Sequence, residues 1–325
     1  MSRLIEVAEI GGPEVLKLVE RDVASPSANQ ITIRQTAIGI NFIDVYFRTG
    51  LYPAPHLPFT PGMEGAGEVI ETGEDVSNLK AGDRVAYAAA PVGAYAEVRN
   101  IEASKVVKIP DNISDDTAAA MMLKDMTARY LLRATFKVEP GHTILFHAAA
   151  GGVGLIAGQW AKSLGATVIG TAGSAEKIEL AKANGYDHVI NYNSENFVER
   201  VLEITDGAKC DVVYDSVGKD TFPGSLECLK PRGMWASFGQ SSGPLPEVNL
   251  GILAQKGSLF ATRPTLFNYI ATSPELEETA GDLFDVVGSG KVNIAVNQTY
   301  ALEDAAQAHI DLEGRKTVGC SLIKP

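Results

Sequence analysis

The sequence predicts an α/β protein in two parts: a β-rich domain at the N-terminal side and a doubly wound sheet of six parallel strands. Three observations carry this. Thr143–Ser174 reads as strand, glycine turn, helix and second strand. Strand and helix patterns keep alternating from there to Thr262. The residues before about 125 instead break into short apolar runs divided by glycine and proline. A chain of 325 residues is long enough to bury two cores.

The first part contains candidate strands at Ile31–Ile40, Gly67–Thr72, Asp83–Ala90 and Ala94–Val98. Gly11-Gly12-Pro13, Pro61-Gly62 and Gly82-Asp83 punctuate them, which suggests a compact barrel-like unit. Within it, Asn41–Arg48 has helical spacing and Gly50 stands as its stop. Leu51–Pro61 is proline-rich and reads as a loop, the kind of segment that carries binding groups on a rigid scaffold. Ser114 opens a helix whose first turn holds Asp115 and Asp116, where negative charge suits the dipole. A second helical stretch covers Met126–Phe136, and Val138–Gly141 is a turn.

Thr143–His147 is then a strand, Ala148–Gly154 the turn, Leu155–Leu164 a helix stopped by Gly165, and Ala166–Thr171 a strand. A pyrophosphate at a helix N-terminus needs backbone N–H groups directed at it and no Cβ in the way. Gly151 and Gly152 permit that approach, and Gly154 lets the helix pack close to the strand. The spacing Ala148-x-x-Gly151-x-x-Gly154 is a variant of the dinucleotide fingerprint, with alanine in place of the first glycine. A site for NAD usually puts Asp or Glu about 20 residues past the glycines to hold the ribose 2′-hydroxyl. Here the second strand runs into Ala172, Gly173 and Ser174 with no carboxylate at its tip. Gly173 and Ser174 can donate to a phosphate and Lys177 can pair with it, so the expected cofactor is NADPH. Glu176 is expected on the solvent side of its helix.

The alternation continues with helix Ala175–Asn184, strand Asp187–Asn191, helix Glu195–Thr205 and strand Asp211–Asp215. Helix Thr221–Leu229, strand Met234–Gly239 and an edge strand Ser258–Thr262 follow. Pro274–Gly288 and Glu303–Leu312 read as amphipathic helices, and Val318–Ile323 as a strand that rejoins the β-rich domain.

A formal net charge of −12 disfavours nucleic acid or an anionic membrane as the main partner. No segment has the length and apolarity of a membrane span or the pattern of a signal peptide. The three cysteines, Cys210, Cys228 and Cys320, have no metal-ligand spacing, and a reducing cytoplasm is the expected compartment.

Seven stretches together carry a family resemblance: Gly11–Leu16, Ala37–Tyr52, Pro61–Val69, Ala81–Val85, His147–Gly154, Val212–Gly218 and Phe238–Gly243. On these the chain resembles the zinc-independent quinone oxidoreductases of the medium-chain dehydrogenase/reductase superfamily, the zeta-crystallin group. The resemblance implies a GroES-like catalytic domain over residues 1–125 and a Rossmann NADPH-binding domain over 126–262. A segment over 263–325 would return to the catalytic domain. It implies an active site in the cleft between the domains and a homodimer formed through the Rossmann domains. The implied cofactor contacts are Phe42, Ile43, Asp44, Val45, Tyr46 and Tyr130, then Gly152 and Val153 beside Gly151 and Gly154. Gly173, Ser174 and Lys177 follow, then Tyr192, Ser216, Phe238, Gly239, Gln240, Ser241, Ser242, Arg263 and Arg315. Asn41, Tyr46 and Tyr52 match the residues that line the family's substrate cleft.

The first 200 residues contain no cysteine, and Met63-Glu64 stands where zinc relatives carry His-Glu. No metal site is expected, since zinc catalysis needs about three protein ligands and an open position. A quinone is already electrophilic and its reduced oxyanion is delocalised, so hydrogen-bond donors suffice. Asn41, Tyr46 and Tyr52 are the candidate donors, with Asn41 alternatively a helix cap and each tyrosine alternatively a packing residue. His147, on the central strand, reads as a satisfied core histidine. The function expected is NADPH-dependent quinone reduction. The alternatives are reduction of α,β-unsaturated carbonyls, or a non-enzymatic NADPH- or RNA-binding role.

Overall fold

The computed structural model describes residues 1–89 and 91–325, so the last position of the expected strand Asp83–Ala90 lies outside the described residues. They form two compact units. One comprises residues 1–126, 270–288 and 294–325; the other comprises 127–269 and 289–293.

The first unit opens with β1 (Ser2–Glu6) and β2 (Lys17–Arg21), an antiparallel pair. β3 (Gln30–Gly39) is followed by α1 (Phe42–Thr49), then β4 (Glu64–Thr72), β5 (Arg84–Ala88), β6 (Val98–Glu102) and β7 (Val107–Lys108). α2 (Asp115–Tyr130) starts where Ser114 caps the N–H of Thr117 at 3.1 Å. The long strand β3 is the spine. It pairs antiparallel with β4 and β6, and Ile31, Ile33 and Ile38 join Val69, Val85, Tyr87 and Ile101 in the core.

The second unit runs β8 (Thr143–Phe146), α3 (Gly152–Ser163), β9 (Thr167–Ala172), α4 (Ala175–Ala183), β10 (His188–Asn191) and α5 (Phe197–Ile204). β11 (Cys210–Asp215), α6 (Gly224–Glu227), β12 (Leu229–Ser237), α7 (Gly251–Gln255) and β13 (Phe260–Thr262) complete it. The six strands are all parallel, in the order β10-β9-β8-β11-β12-β13. The order reverses between β8 and β11, the switch point at which doubly wound sheets bind ligands beyond the carboxyl ends of their strands. Burial of both faces explains the β-branched and apolar runs, with Leu145, Ile169, Ile190, Val213 and Trp235 in one core.

The chain then returns to the first unit. α8 (Ser273–Gly288) is followed by β14 (Val296–Ala301), α9 (Ala305–Glu313) and β15 (Cys320–Lys324). β15 pairs antiparallel with β3 and parallel with β14, extending the sheet to seven strands among the described residues.

Several elements differ from expectation. Ala94–Val98 is not a strand: only an isolated bridge joins Ala96 to Leu4, and the strand begins at Val98. Gly93, at φ 136°, breaks the run, and the backbone of residues 94–96 accepts hydrogen bonds from the Gln35 side chain. Met126–Phe136 is no separate helix, because α2 runs through Tyr130 into a π-helical turn at Leu131–Thr135. α3 begins at Gly152, three residues before the apolar run that marks it in sequence. The expected helix Thr221–Leu229 shrinks to α6, and β12 takes over Leu229. β2 and β14 carry too many exposed residues, and β1 and β6 too many polar ones, to stand out as strands.

Candidate functional site

In the second unit the expected cofactor residues gather at the carboxyl ends of the parallel strands. Gly151–Gly154 follow β8, Gly173–Lys177 follow β9 and Tyr192 follows β10. Ser216 follows β11, Phe238–Ser242 follow β12 and Arg263 follows β13. The glycine turn is built for close approach. A Cβ on Gly154 would lie 2.4 Å from the carbonyl oxygen of Ala148 and 2.6 Å from that of Ala149. Gly151 is the N-cap of α3 and offers no side chain, so the first-turn N–H groups of Gly152, Val153 and Gly154 have no intrahelical acceptor. Together with the dipole they form a place for a pyrophosphate.

At the tip of β9, Ser174 caps α4 by accepting from the N–H of Lys177 at 3.3 Å. Lys177 is half-buried, whereas Glu176 is exposed, on the solvent side as the sequence suggests. A Cβ on Gly173 would strike the Tyr192 hydroxyl at 2.5 Å, so this tip and Tyr192 are in close register. These groups fit a 2′-phosphorylated ribose: donors are present and the strand tip has no carboxylate.

The β11 and β12 tips are joined by hydrogen bonds. Ser241 N donates to Ser216 O at 3.1 Å and Ser242 N to Val217 O at 3.0 Å. Arg263 Nη1 donates to Ser237 O at 2.8 Å. Asp215 anchors this corner. It accepts from the N–H groups of Val217 and Gly218 at 2.9 and 3.0 Å and from the hydroxyls of Thr221 and Ser225. Burial pushes its carboxyl up, but His147 and these donors hold it below the usual carboxylate range. His147, wholly buried, meets Thr171 Oγ1 at 3.0 Å and Ser225 Oγ at 3.1 Å, a satisfied core histidine as read from the sequence. Tyr130, the last residue of α2, stacks on Tyr269 with centroids 4.5 Å apart.

The first unit holds Phe42–Tyr46 and Arg315, the latter exposed on the turn after α9. It also holds the three residues expected at the substrate. Asn41 is the N-cap of α1. Tyr46 sits one turn further, with Tyr52 against it at 5.1 Å between ring centroids; Tyr52 N donates to Tyr46 O at 3.0 Å. Phe42 lies 5.9 Å from Tyr46 and Phe47 5.9 Å from Tyr52, so the tyrosines belong to an aromatic cluster.

The Asn41 amide is oriented by a group the sequence left unassigned. Its Nδ2 donates to Glu64 Oε2 at 2.8 Å, which leaves a second N–H on the same nitrogen for another acceptor. Glu64 also accepts from Lys124 Nζ at 3.0 Å and from Leu123 N at 2.7 Å. Burial pushes the Lys124 ammonium down, but Glu64 outweighs it and holds the group above its ordinary value. Gly39 makes room for this carboxylate, since a Cβ there would lie 2.1 Å from Glu64 Oε2. Asp125 is buried beside the pair with neither oxygen hydrogen-bonded; burial and Glu64 push its carboxyl well above the usual carboxylate range.

Asp44 is the second buried centre. Its Oδ2 accepts from Asn41 N at 2.9 Å and from Tyr95 Oη at 3.0 Å. Burial raises its carboxyl to about 7 against these donors. Lys124 and Asp125, which end the apolar run Thr117–Leu123, and Tyr95, within Gly93–Val98, carried no motif that marked them out. Among the described residues, no group of three or more His, Cys, Asp and Glu side chains is placed to hold a metal ion.

Comparison with known proteins adds the following. Residues 27–111 match the family model described as alcohol dehydrogenase GroES-like domain. Residues 152–285 match the model described as zinc-binding dehydrogenase. The chain is 52% identical to a quinone oxidoreductase of Pseudomonas aeruginosa over all of both chains. It is 44% identical to a 2-haloacrylate reductase of a Burkholderia species, covering 97% of this chain and 96% of the relative. A crystal structure of Escherichia coli quinone oxidoreductase complexed with NADPH superimposes with a TM-score of 0.98 at 53% identity, covering 99% of this chain and 100% of that one.

Proposed function

The chain belongs to the quinone oxidoreductase family of the medium-chain dehydrogenase/reductase superfamily, and we propose that it reduces quinones with NADPH. The observation that carries this is full-length identity above half to proteins of that activity. The residues at the strand tips fit the cofactor independently. NADPH, when bound, supplies the hydride, and one proton taken up with it converts quinone to hydroquinone.

The chain's own residues bind and orient. The bare first turn of α3 receives the pyrophosphate, with Gly151, Gly152, Val153 and Gly154 clearing the way. Gly173, Ser174 and Lys177 hold the 2′-phosphate, with Tyr192 alongside. Ser216, Phe238–Ser242 and Arg263 bind at the remaining tips, and Phe42–Tyr46, Tyr130 and Arg315 complete the cofactor contacts. Asn41 directs its free amide N–H at the quinone oxygen, where negative charge develops. Tyr46 and Tyr52 offer hydroxyls and ring faces to a planar substrate. Charge spread over the quinone ring needs only modest local stabilisation, so most of the rate comes from holding reactants at about 3–3.5 Å.

Likeness to the 2-haloacrylate reductase favours reduction of an activated carbon–carbon double bond as the second reading. The net charge of −12 sets the RNA-binding reading last. A homodimer through the Rossmann-type sheet is part of the proposal: β13 is its edge strand and exposes Phe260 at 59%. A cytoplasmic location is also part of it; no described helix is long and apolar enough to cross a membrane.

The test is NADPH consumption with 1,4-benzoquinone, a naphthoquinone and an alkenal at equal concentration. Turnover of the quinones is expected to exceed that of the alkenal. No oxidation with any quinone refutes the proposal, and a faster alkenal transfers it to the second reading.

A further inference from the structure

One run of buried polar contacts in the first unit is not used by the reading above. It begins at the protein surface, where the Glu313 carboxylate accepts from Arg48 Nη1 and Nη2, each at 2.9 Å. Arg48 Nη1 meets His309 Nδ1 at 3.1 Å, and His309 Nε2 meets Tyr95 Oη at 3.1 Å. Tyr95 Oη reaches Asp44 Oδ2 at 3.0 Å, and the same oxygen takes the N–H of Asn41. Arg48, His309, Tyr95 and Asp44 are each at most 1% exposed. Five side chains from α9, α1 and the segment before β6 therefore end on the backbone of Asn41.

The hydrogen-bond directions follow from chemistry. A guanidinium only donates, so His309 Nδ1 accepts. The neutral ring then carries its proton on Nε2 and donates to Tyr95, which leaves the Tyr95 hydroxyl proton for Asp44. Arg48 does not give up a proton, so the run does not conduct protons to solvent. What it can do is fix geometry. Asp44 Oδ2 is filled by two donors, one of which is the backbone at the start of α1, while Glu64 holds the Asn41 side chain from elsewhere.

We infer that His309 is a positioning residue: backed by Arg48, it orients Tyr95 and Asp44 and so sets the first turn of α1, where Asn41 meets the substrate. This rests on the proposed role of Asn41. The C-terminal helix thereby acts on catalysis without touching the reactants. Displacement of a reacting group by a fraction of an ångström is costly in rate, which gives the network a kinetic signature distinct from its packing.

The experiment compares Tyr95→Phe, His309→Gln, Asn41→Ala and the double variant Tyr95→Phe/Asn41→Ala. The readouts are kcat and KM for 1,4-benzoquinone with saturating NADPH, per folded enzyme. Tyr95→Phe keeps the ring and its edge contact with His309, so it carries the test if His309→Gln folds poorly. Tyr95→Phe and His309→Gln are each expected to lose about tenfold in kcat with KM changed less, Asn41→Ala about a hundredfold, and Tyr95→Phe to add little on top of Asn41→Ala. Wild-type kcat in Tyr95→Phe, beside a loss in Asn41→Ala, overturns the positioning role alone. A Tyr95→Phe loss that persists in full in the double variant overturns it too. Wild-type kinetics in Asn41→Ala instead refute the reading of the substrate site, and with it the route assigned to the network.

Discussion

Asp44 and His309 lie one hydroxyl apart, and their ionisations pull the stability of the first unit in opposite directions. Burial, with Arg48 beside it, depresses His309 from 6.5 to about 3. The fold keeps the ring neutral while the unfolded chain protonates it, so its contribution is present above pH 6.5 and lost as pH falls. Burial raises Asp44 from 3.8 to about 7, with Glu64 adding to it and Asn41, Tyr95 and Lys124 opposing. The fold keeps this carboxyl protonated where the unfolded chain ionises it, so its contribution is present below pH 3.8 and lost as pH rises through 7. Linkage between pH 7 and pH 5 then gives a loss of about 2 kcal/mol from His309 and a gain of about 2 kcal/mol from Asp44. In the wild-type protein the two nearly cancel. The assay is urea unfolding of wild type, His309→Gln and Asp44→Asn at both pH values, with each protein compared only with itself. Against wild type, acidification should favour His309→Gln by about 2 kcal/mol and disfavour Asp44→Asn by about the same. Two variants that track wild type within about 0.5 kcal/mol, or that deviate in the same direction, refute the reasoning.

Three further outcomes are expected. Lys177→Ala should weaken NADPH by about tenfold or more and NADH hardly at all, read by equilibrium titration; equal losses remove Lys177 from the 2′-phosphate. Asn41→Ala should lower kcat with quinone by about a hundredfold if its amide meets the developing charge, read in steady state. Glu64→Gln should destabilise the fold by about 3–5 kcal/mol, because it strands the Lys124 ammonium away from water, and Glu64→Gln/Lys124→Met should recover much of that in denaturant melts.

The parallel half of the fold was legible because its determinants are local. Glycine at a turn and β-branched runs on either side mark β8, α3 and β9 within one window. Even the substitution in the fingerprint is informative: Ala148 adopts φ 57°, the left-handed conformation that the usual glycine would supply. The antiparallel half was only partly legible. β1, β2 and β14 lie at margins where one or both faces meet water, so they lack the apolar signal. The residues after the parallel strands could be grouped from the sequence because parallel strands deliver their carboxyl ends to one edge. Glu64, Lys124, Tyr95 and His309 could not. Each acquires meaning only through partners distant in the chain: Glu64 meets Asn41 across 23 residues and Lys124 across 60, and Tyr95 meets Asp44 across 51.

Those distant partners explain how the first turn of α1 is held in so short a helix. Isolated helices of this length are marginal, and eight residues of α1 cannot hold their own first turn. Two buried carboxyls supply what the helix lacks. Asp44 takes the backbone N–H of Asn41, and Glu64 takes its side-chain amide, so one residue is gripped at both ends of its own structure. Each carboxyl is in turn held by a side chain from a distant part of the chain, Tyr95 in one case and Lys124 in the other. The Glu64–Lys124 pair carries no net charge, and below about pH 7 a protonated Asp44 adds none, so there the field at Asn41 is set by oriented dipoles and not by a bare ion. Under the proposed function, a directed N–H is what a delocalised oxyanion requires, and preorganisation of this kind costs no rearrangement when charge moves.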